Sequence, residues 1–380
     1  MTNPLETHTL AQLRQRQSMK WRRYPEDVLP LWVAEMDVSL APAIVEAVSD
    51  AMRRGDTGYP GGNDYAEAMA EFAMKRWGWS FDIGQSAIVP DVMMGIVEVL
   101  KLITGPGDAV VINSPVYTPF YQFITNADRR VVEAPLGADY RIDFEFLEHA
   151  FGQVKSAGRP AAYLLCSPHN PVGTVHTEDE LVAVAELASR YDVRVIVDEI
   201  HAPLVHEGST HLPFLSLQGT GNAIALLSAS KGWNLAGLKA AVAVAGHAAV
   251  ADLDRMPEEV SHGPSHIGII GHCAALRDGQ PWLDDLLVGL EANRRHLAGL
   301  LTELIPEVRC RQPEGTYLAW LDCRALDLPA DPAEVFLRRG RVALVSGPAF
   351  GTGGEGHVRM NIATSQGILE EAVRRMASAL

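Results

Sequence analysis

The 380-residue chain has only four cysteines, Cys166, Cys273, Cys310 and Cys323. They are widely spaced and form no C-x-x-C pair, which excludes a disulfide-stapled scaffold and fits a reducing cytoplasm. The chain also lacks a basic surplus: 32 Lys and Arg stand against 47 Asp and Glu, a net charge of −15. A field of that sign repels phosphate backbones and anionic lipid heads, so neither nucleic acid nor membrane is an expected partner. Long hydrophobic runs are missing too. The smoothest, Ala240 to Ala251, is about 12 residues long, where a bilayer span needs about 20. The stretch from Met1 to Arg23 is polar, carries Arg14, Arg16, Lys20, Arg22 and Arg23, and has no apolar signal-peptide core, so a cytoplasmic location is expected. Without repeats, low-complexity tracts or a Gly/Ser linker, the domains should be interwoven rather than strung in series.

What is present is ordinary globular material, 47% apolar and 21% charged. At about 150 residues per domain, the length predicts two or three. Short β-rich runs at Ala109 to Asn113, Ala161 to Cys166, Arg194 to Val197, Ile224 to Ser228 and Ala240 to Ala245 alternate with helical patterns, the grammar of an α/β fold. Thr177 and Glu180 form a capping box ahead of Leu181, Val184, Leu187 and Tyr191 at helical spacing. Strands as apolar as Val193 to Val197 suit a mostly parallel central sheet covered by helices, with its ligand site beyond the carboxyl ends of the strands. After Pro281 a long helical stretch, Trp282 to Ile305, is followed by strand-like runs near Thr316 to Leu321 and His357 to Ile362, which predicts a smaller α+β domain. The expected division is a large domain over 46–280, a small one over 281–380, and an N-terminal segment, 1–45, packing on the small one.

Three segments carry chemistry. Lys231, in Ser228-Ala-Ser-Lys231, follows an apolar run and sits where a strand hands over to a loop. An amine becomes a useful nucleophile for aldehydes when desolvation or a cofactor disfavours its protonated form; a solvated loop lysine is the plainer alternative. Asp198 directly follows Val193 to Val197, so it rides at the end of a buried strand, with Glu199 pointing the other way. Such a carboxylate needs a partner, and the protonated ring nitrogen of pyridoxal phosphate is one that fits, although Asp198 could also cap the next helix. Asn170, in Ser167-Pro-His-Asn-Pro-Val-Gly173, is held in a Pro- and Gly-punctuated turn from which its amide could donate to a phenolic oxygen, or it could simply initiate the turn.

Together, Lys231 with the following Gly237-Leu-Lys239, Asp198-Glu-Ile-His201 and Asn170-Pro-Val-Gly173 resemble the fold-type-I pyridoxal-phosphate enzymes of the aminotransferase class I/II superfamily. More narrowly, Leu29-Pro-Leu-Trp-Val-Ala-Glu-Met-Asp37, Gly58-Tyr-Pro60 and Asp198-Glu-Ile-His-Ala-Pro203 resemble the MalY/PatB-type cystathionine β-lyases, or C-S lyases, over nearly the whole chain. The resemblance implies pyridoxal 5'-phosphate as cofactor and Lys231 as the residue that bonds it and carries the proton. It implies Asp198 on the pyridine nitrogen, with His201 close by, Asn170 on the ring hydroxyl oxygen and Tyr117 stacked on the ring. The phosphate would lie against the backbone N–H groups of Val92 and Met93, with Ser228, Ser230 and Lys239 completing the cradle. Tyr59 would reach the phosphate of a neighbouring subunit, which implies a homodimer with shared active sites. Arg359 would clamp the substrate α-carboxylate, with Ala34 and Asn170 also at the substrate.

The chain departs from the family in two places. The usual Ala-Asp-Met-Asp is Ala34-Glu-Met-Asp37 here, and the usual glycine of the phosphate loop is Asp91, whose side chain is expected to point to solvent. Two other patterns are set aside. Gly351-Thr-Gly-Gly-Glu-Gly356 satisfies G-x-G-x-x-G but leads into a strand-like run rather than a helix. His201, His206 and His211 recur every five residues, which matches no metal-binding helix or finger, so no metal is assigned. The activity implied is elimination of a thiol from L-cystathionine or a related cysteine S-conjugate, giving pyruvate and ammonia. An aminotransferase using the same lysine is the alternative, and a non-catalytic cofactor-binding regulator is a third reading, which this acidic chain leaves little room for.

Overall fold

Alternation in the central strands decides how the molecule is layered. The computed structural model describes residues 3–380. Its main sheet has seven strands: β1 Ser86–Val89, β2 Ala109–Ile112, β3 Arg130–Glu133, β4 Ala161–Cys166, β5 Arg194–Asp198, β6 Ile224–Leu227 and β7 Ala241–Ala245. They lie in the order β1-β7-β6-β5-β4-β2-β3, so β5 is central. Only β7 runs against its neighbours. Successive side chains on a strand face opposite sides, and the core divides accordingly. Val195 and Val197 pack with Tyr163 and Leu165 on one face. Ile196 packs on the other with Leu164, Cys166 and the apolar stripe Val92, Ile96 and Val99 of α1, Val92–Ile103. Asp198, two residues after Ile196, therefore shares the face covered by α1.

That helix lies close to the sheet. A Cβ on Gly95 would come within 2.8 Å of both Leu226 Cδ1 and Val89 Cγ2, so only glycine allows α1 this approach. On the opposite face α2, Glu178–Tyr191, crosses between β4 and β5. Thr177 and Glu180 close the expected capping box, and Leu181, Val184 and Leu187 are buried.

A second sheet has four strands, β8 Arg309–Cys310, β9 Leu318–Asp322, β10 Val345–Ser346 and β11 His357–Asn361, in the order β10-β11-β9-β8. It packs with α3, Gln280–Leu304, and the terminal helix Gln366–Ser378. Gly351-Thr-Gly-Gly-Glu-Gly356 forms the turn into β11, with Gly351, Gly353 and Gly356 all at positive φ. Leu29–Pro30 pairs in parallel with Val342–Ala343 and ties the N-terminal segment to this part of the chain. No helix of the described residues is long and apolar enough to cross a membrane.

From Leu29–Pro30 the chain continues as a strap over the junction of the two sheets. At its far end lies a buried ion pair, Lys20 Nζ to Asp37 Oδ2 at 2.7 Å. Lys20 Nζ also donates to the Glu35 carbonyl at 3.0 Å, and Trp21 Nε1 to Asp37 Oδ1 at 3.1 Å. Lys20→Met would strand a buried carboxylate and should lower the unfolding free energy by about 3–5 kcal/mol. Arg53→Ala, at the exposed pair with Asp50, should change it by less than about 0.5 kcal/mol. Urea denaturation of both variants measures the gap; matching midpoints would show that the buried pair does not matter.

Candidate active site

The carboxyl ends of β4, β5 and β6 meet in register, with Cys166 opposite Asp198 and Asp198 opposite Leu226. The loops that follow bring Asn170, His201 and Lys231 to one place. There they line a cavity of about 360 Å³ together with Val92, Met93, Tyr117, Ser228, Ser230, Lys239 and Ala34. A cavity of this size suits a small-molecule ligand.

Lys231 Nζ donates to the Ala34 carbonyl at 2.9 Å. Burial and then the Arg359 charge lower its pKa to about 8, against the smaller opposing pull of Asp198. Asp198 is only 4% exposed. Burial raises its pKa to about 6, although its Oδ1 accepts from the Ile200 N–H at 3.1 Å. Among the described residues it has no ion-pair partner. His201 is buried beside Tyr317, its Nδ1 has no hydrogen-bond partner, and burial holds the imidazole well below its ordinary pKa. The Tyr117 ring stands edge-on to Phe120, and burial raises its phenol pKa.

Arg359 is not part of the cavity wall but reaches it. On β11, alternation sends Arg359 and Asn361 to the side opposite the core residues Val358, Met360 and Ile362. Arg359 donates to Asn170 Oδ1 and to the Trp32 carbonyl, both at 3.0 Å, and its Nε is buried without a partner. Burial lowers its pKa to about 10, and no carboxylate faces it among the described residues. Because Asn170 Oδ1 is taken, the Nδ2 donors of that amide remain for a ligand.

At the N-terminus of α1, Asp91 Oδ1 accepts from the Met94 N–H at 2.8 Å, leaving the N–H groups of Val92 and Met93 as the donors of the first turn. The expectation that Asp91 points to solvent is corrected here, because its other oxygen pairs with Lys239 Nζ at 2.7 Å. Ser228 is less available than expected, since its hydroxyl donates to the Ala240 carbonyl at 2.8 Å and accepts from the Ser230 N–H at 3.1 Å. Tyr59 lies away from the cavity, 86% exposed and near the His262 ring.

The strap contributes most of what the sequence did not reveal. Asn361 Nδ2 donates to the Val33 and Glu35 carbonyls, Tyr317 Oη to the Ala34 carbonyl, and Asn234 brackets Met36 through both its N–H and its carbonyl. Glu35, Met19, Pro119, Phe123 and Cys166 also line the cavity. Only Cys166 had a usable signal, as the last residue of a parallel strand.

Comparison with known proteins identifies the family of the chain. Residues 26–376 match the family model for aminotransferase class I and II, and the chain belongs to that family. A protein of Mycobacterium leprae (strain TN), provisionally named a cystathionine beta-lyase, is 58% identical over 396 residues, covering 100% of this chain and 98% of its own. The cystathionine beta-lyase of Corynebacterium glutamicum is 36% identical over 378 residues, covering 98% and 99%. Cystalysin of Treponema denticola, solved with pyridoxal 5'-phosphate, superposes with a TM-score of 0.89 at 28% identity, covering 96% of each chain.

The histidines of the five-residue series do not gather. His206 Nε2 lies 2.7 Å from the Thr316 carbonyl, whereas His211 lies 3.8 Å from Glu199 on the sheet face away from Asp198. Among the described residues no group of three His, Cys, Asp or Glu is arranged to hold a metal. Burial lowers the pKa of His169 and His211 to about 3, and of His176, His206 and His272 to about 4, from the ordinary 6.5. These imidazoles are neutral in the fold and take up protons near pH 6.5 once unfolded, so their stabilisation is present above that pH and lost below it. Asp198 and Glu199, raised to about 6 and about 8, act in the opposite sense but are fewer. Unfolding free energy from urea titrations should therefore fall as pH is lowered from about 6.5 towards 5. A flat or rising profile would mean that these histidines are not neutral in the folded protein.

Proposed function

We propose that the protein is a pyridoxal 5'-phosphate-dependent carbon-sulfur β-lyase that eliminates a thiol from L-cystathionine or a related cysteine S-conjugate, giving pyruvate and ammonia. The observation that carries this reading is a pair of buried charges without ion-pair partners that both act on Lys231: Asp198 at the end of β5 and Arg359 on β11. A buried charge without a partner is costly, and each calls for a ligand group of opposite sign. The cofactor and an α-amino acid would supply one each. Full-length relatives that carry the lyase name support elimination over transamination.

When bound, pyridoxal 5'-phosphate supplies a carbonyl that condenses with amines and a ring that withdraws electrons from the carbon beside the nitrogen. Asp198 fits the cationic ring N–H and Asn170 Nδ2 the ring oxygen. The uncommitted donors of Val92 and Met93, the Ser230 hydroxyl and Lys239 fit the phosphate, with Ser228 fixing the Ser230 N–H. Tyr117 fits the ring face. Arg359, already aimed by Asn170 and Trp32, would hold the α-carboxylate of the substrate with its free Nε edge. Lys231 Nζ, with its pKa lowered to about 8, would take the proton from substrate Cα. Loss of that proton lets the Cβ–S bond break and the thiolate leave, and water hydrolyses the released aminoacrylate to pyruvate and ammonia. Tyr59, exposed on this chain, fits a contact with a second copy in a homodimer.

Lys231→Ala should abolish turnover. Asp198→Asn should lower the rate by about 10² to 10³-fold, as expected from leaving a buried cation unpaired; near-normal turnover would remove Asp198 from the mechanism. The deciding experiment mixes the protein with L-cystathionine and no keto-acid acceptor. Sustained pyruvate release is expected, whereas a single turnover that resumes only on adding a keto acid would identify an aminotransferase.

A further inference from the structure

The cavity holds one charge that the proposed reaction leaves unmatched. Asp91 pairs with Lys239, Asp198 is matched by the ring nitrogen, and Arg359 by the α-carboxylate. Glu35 also lines the cavity, yet among the described residues no Lys, Arg or His lies within ion-pair distance of it. Its carboxylate accepts one hydrogen bond, from Ser18 Oγ to Oε1. Its backbone is fixed on three sides: the N–H donates to the Val33 carbonyl at 2.8 Å, and the C=O accepts from Lys20 Nζ at 3.0 Å and Asn361 Nδ2 at 2.7 Å. The carboxylate is therefore held in place at the wall. Met19, which follows Ser18 and also lines the cavity, is 60% exposed and marks the cavity's mouth. The same cavity is also lined by Val33, Pro119 and Phe123, apolar surfaces that suit methylenes and a thioether.

We propose that Glu35 determines leaving-group specificity, receiving the distal ammonium of a substrate whose sulfur carries a second amino-acid unit, so that conjugates whose thiol half bears an ammonium group are preferred over S-alkyl ones without it. The inference rests on the lyase reading and names the substrate class of the same site. A charge-assisted contact of this kind amounts to about 10- to 100-fold in affinity.

The test compares pyruvate release by the wild-type holoenzyme, Glu35→Gln and Glu35→Asp from L-cystathionine and from S-ethyl-L-cysteine. Glu35→Gln should lose about 10- to 100-fold in kcat/KM for cystathionine, mainly through KM, and less than about threefold for S-ethyl-L-cysteine. Glu35→Asp should keep most of the preference. Calorimetry with 2,7-diaminosuberate, in which a methylene replaces sulfur and no thiol can leave, should show the same weakening in Glu35→Gln, and 2-aminosuberate, lacking the distal ammonium, should not. Equal losses on both substrates, or a reduced kcat with unchanged KM and a displaced pH profile, would overturn the proposal and assign Glu35 to tuning Lys231. If wild type releases no pyruvate from either substrate, the lyase reading fails, and the two calorimetric ligands still decide the role of Glu35.

Discussion

Burying a charge without its counter-charge is the constraint around which this molecule is built. Asp198 and Arg359 come from different sheets and neither has an ion-pair partner among the described residues. In an apolar medium each would be neutralised or expelled. Both are retained because the scaffold fixes their positions before any ligand arrives. Asp198 is anchored by the register of three parallel strands, and Arg359 by Asn170 and the Trp32 carbonyl. Fixed, poorly solvated charges of this kind interact strongly with groups brought into the cavity.

The strap supplies the second half of the arrangement, and it works mainly through its backbone. Carbonyls from Trp32 to Met36 accept from Arg359, Asn361, Lys231, Tyr317, Lys20 and Asn234, side chains that belong to the main sheet's loops, the smaller sheet and the N-terminal segment itself. The same short segment thus seats the reactive lysine, orients the arginine and presents Glu35. Two amides from elsewhere in the chain, the buried Asn361 and the half-buried Asn234, each bond two strap groups, so the strap cannot shift without leaving the Asn361 donor unpaired.

Much of this was legible in the sequence, and the reasons are specific. Ala161–Cys166 and the helix beginning after Thr177 were read correctly because a continuous apolar run and a capping box are local chemistry. The strand carrying Asp198 runs one residue further than its apolar pattern, because pairing with Cys166 and Leu226 continues through the carboxylate. Ser86–Val89 and Arg130–Glu133 escaped notice; they lie at the two edges of the sheet, where partial exposure breaks the apolar run. The cavity residues Lys231, Asp198 and Asn170 were recognisable by motif. The contacts of the strap were not, because a backbone carbonyl has no sequence signature and its partners stand hundreds of positions away. Asp91 shows the limit of reading by resemblance, since an acid in a phosphate loop looked out of place until Lys239 was found beside it.

The distance along the chain between the strap and its partners has a consequence for synthesis. Residues 29–37 leave the ribosome early, whereas Asn361, which bonds the Val33 and Glu35 carbonyls, is separated from them by 328 and 326 positions. A nascent chain can form the main sheet, with Lys20, Lys231 and Asn234 available to the strap, while its partners on the smaller sheet are still missing, since domains fold as their residues emerge. The carbonyls on either side of Ala34, whose own carbonyl seats Lys231, gain their Asn361 donor only after the last strand of the smaller sheet has been made. Final placement of the strap is thereby tied to completion of the polypeptide, and a chain stopped short of residue 361 would leave the Val33 and Glu35 carbonyls without their amide donor.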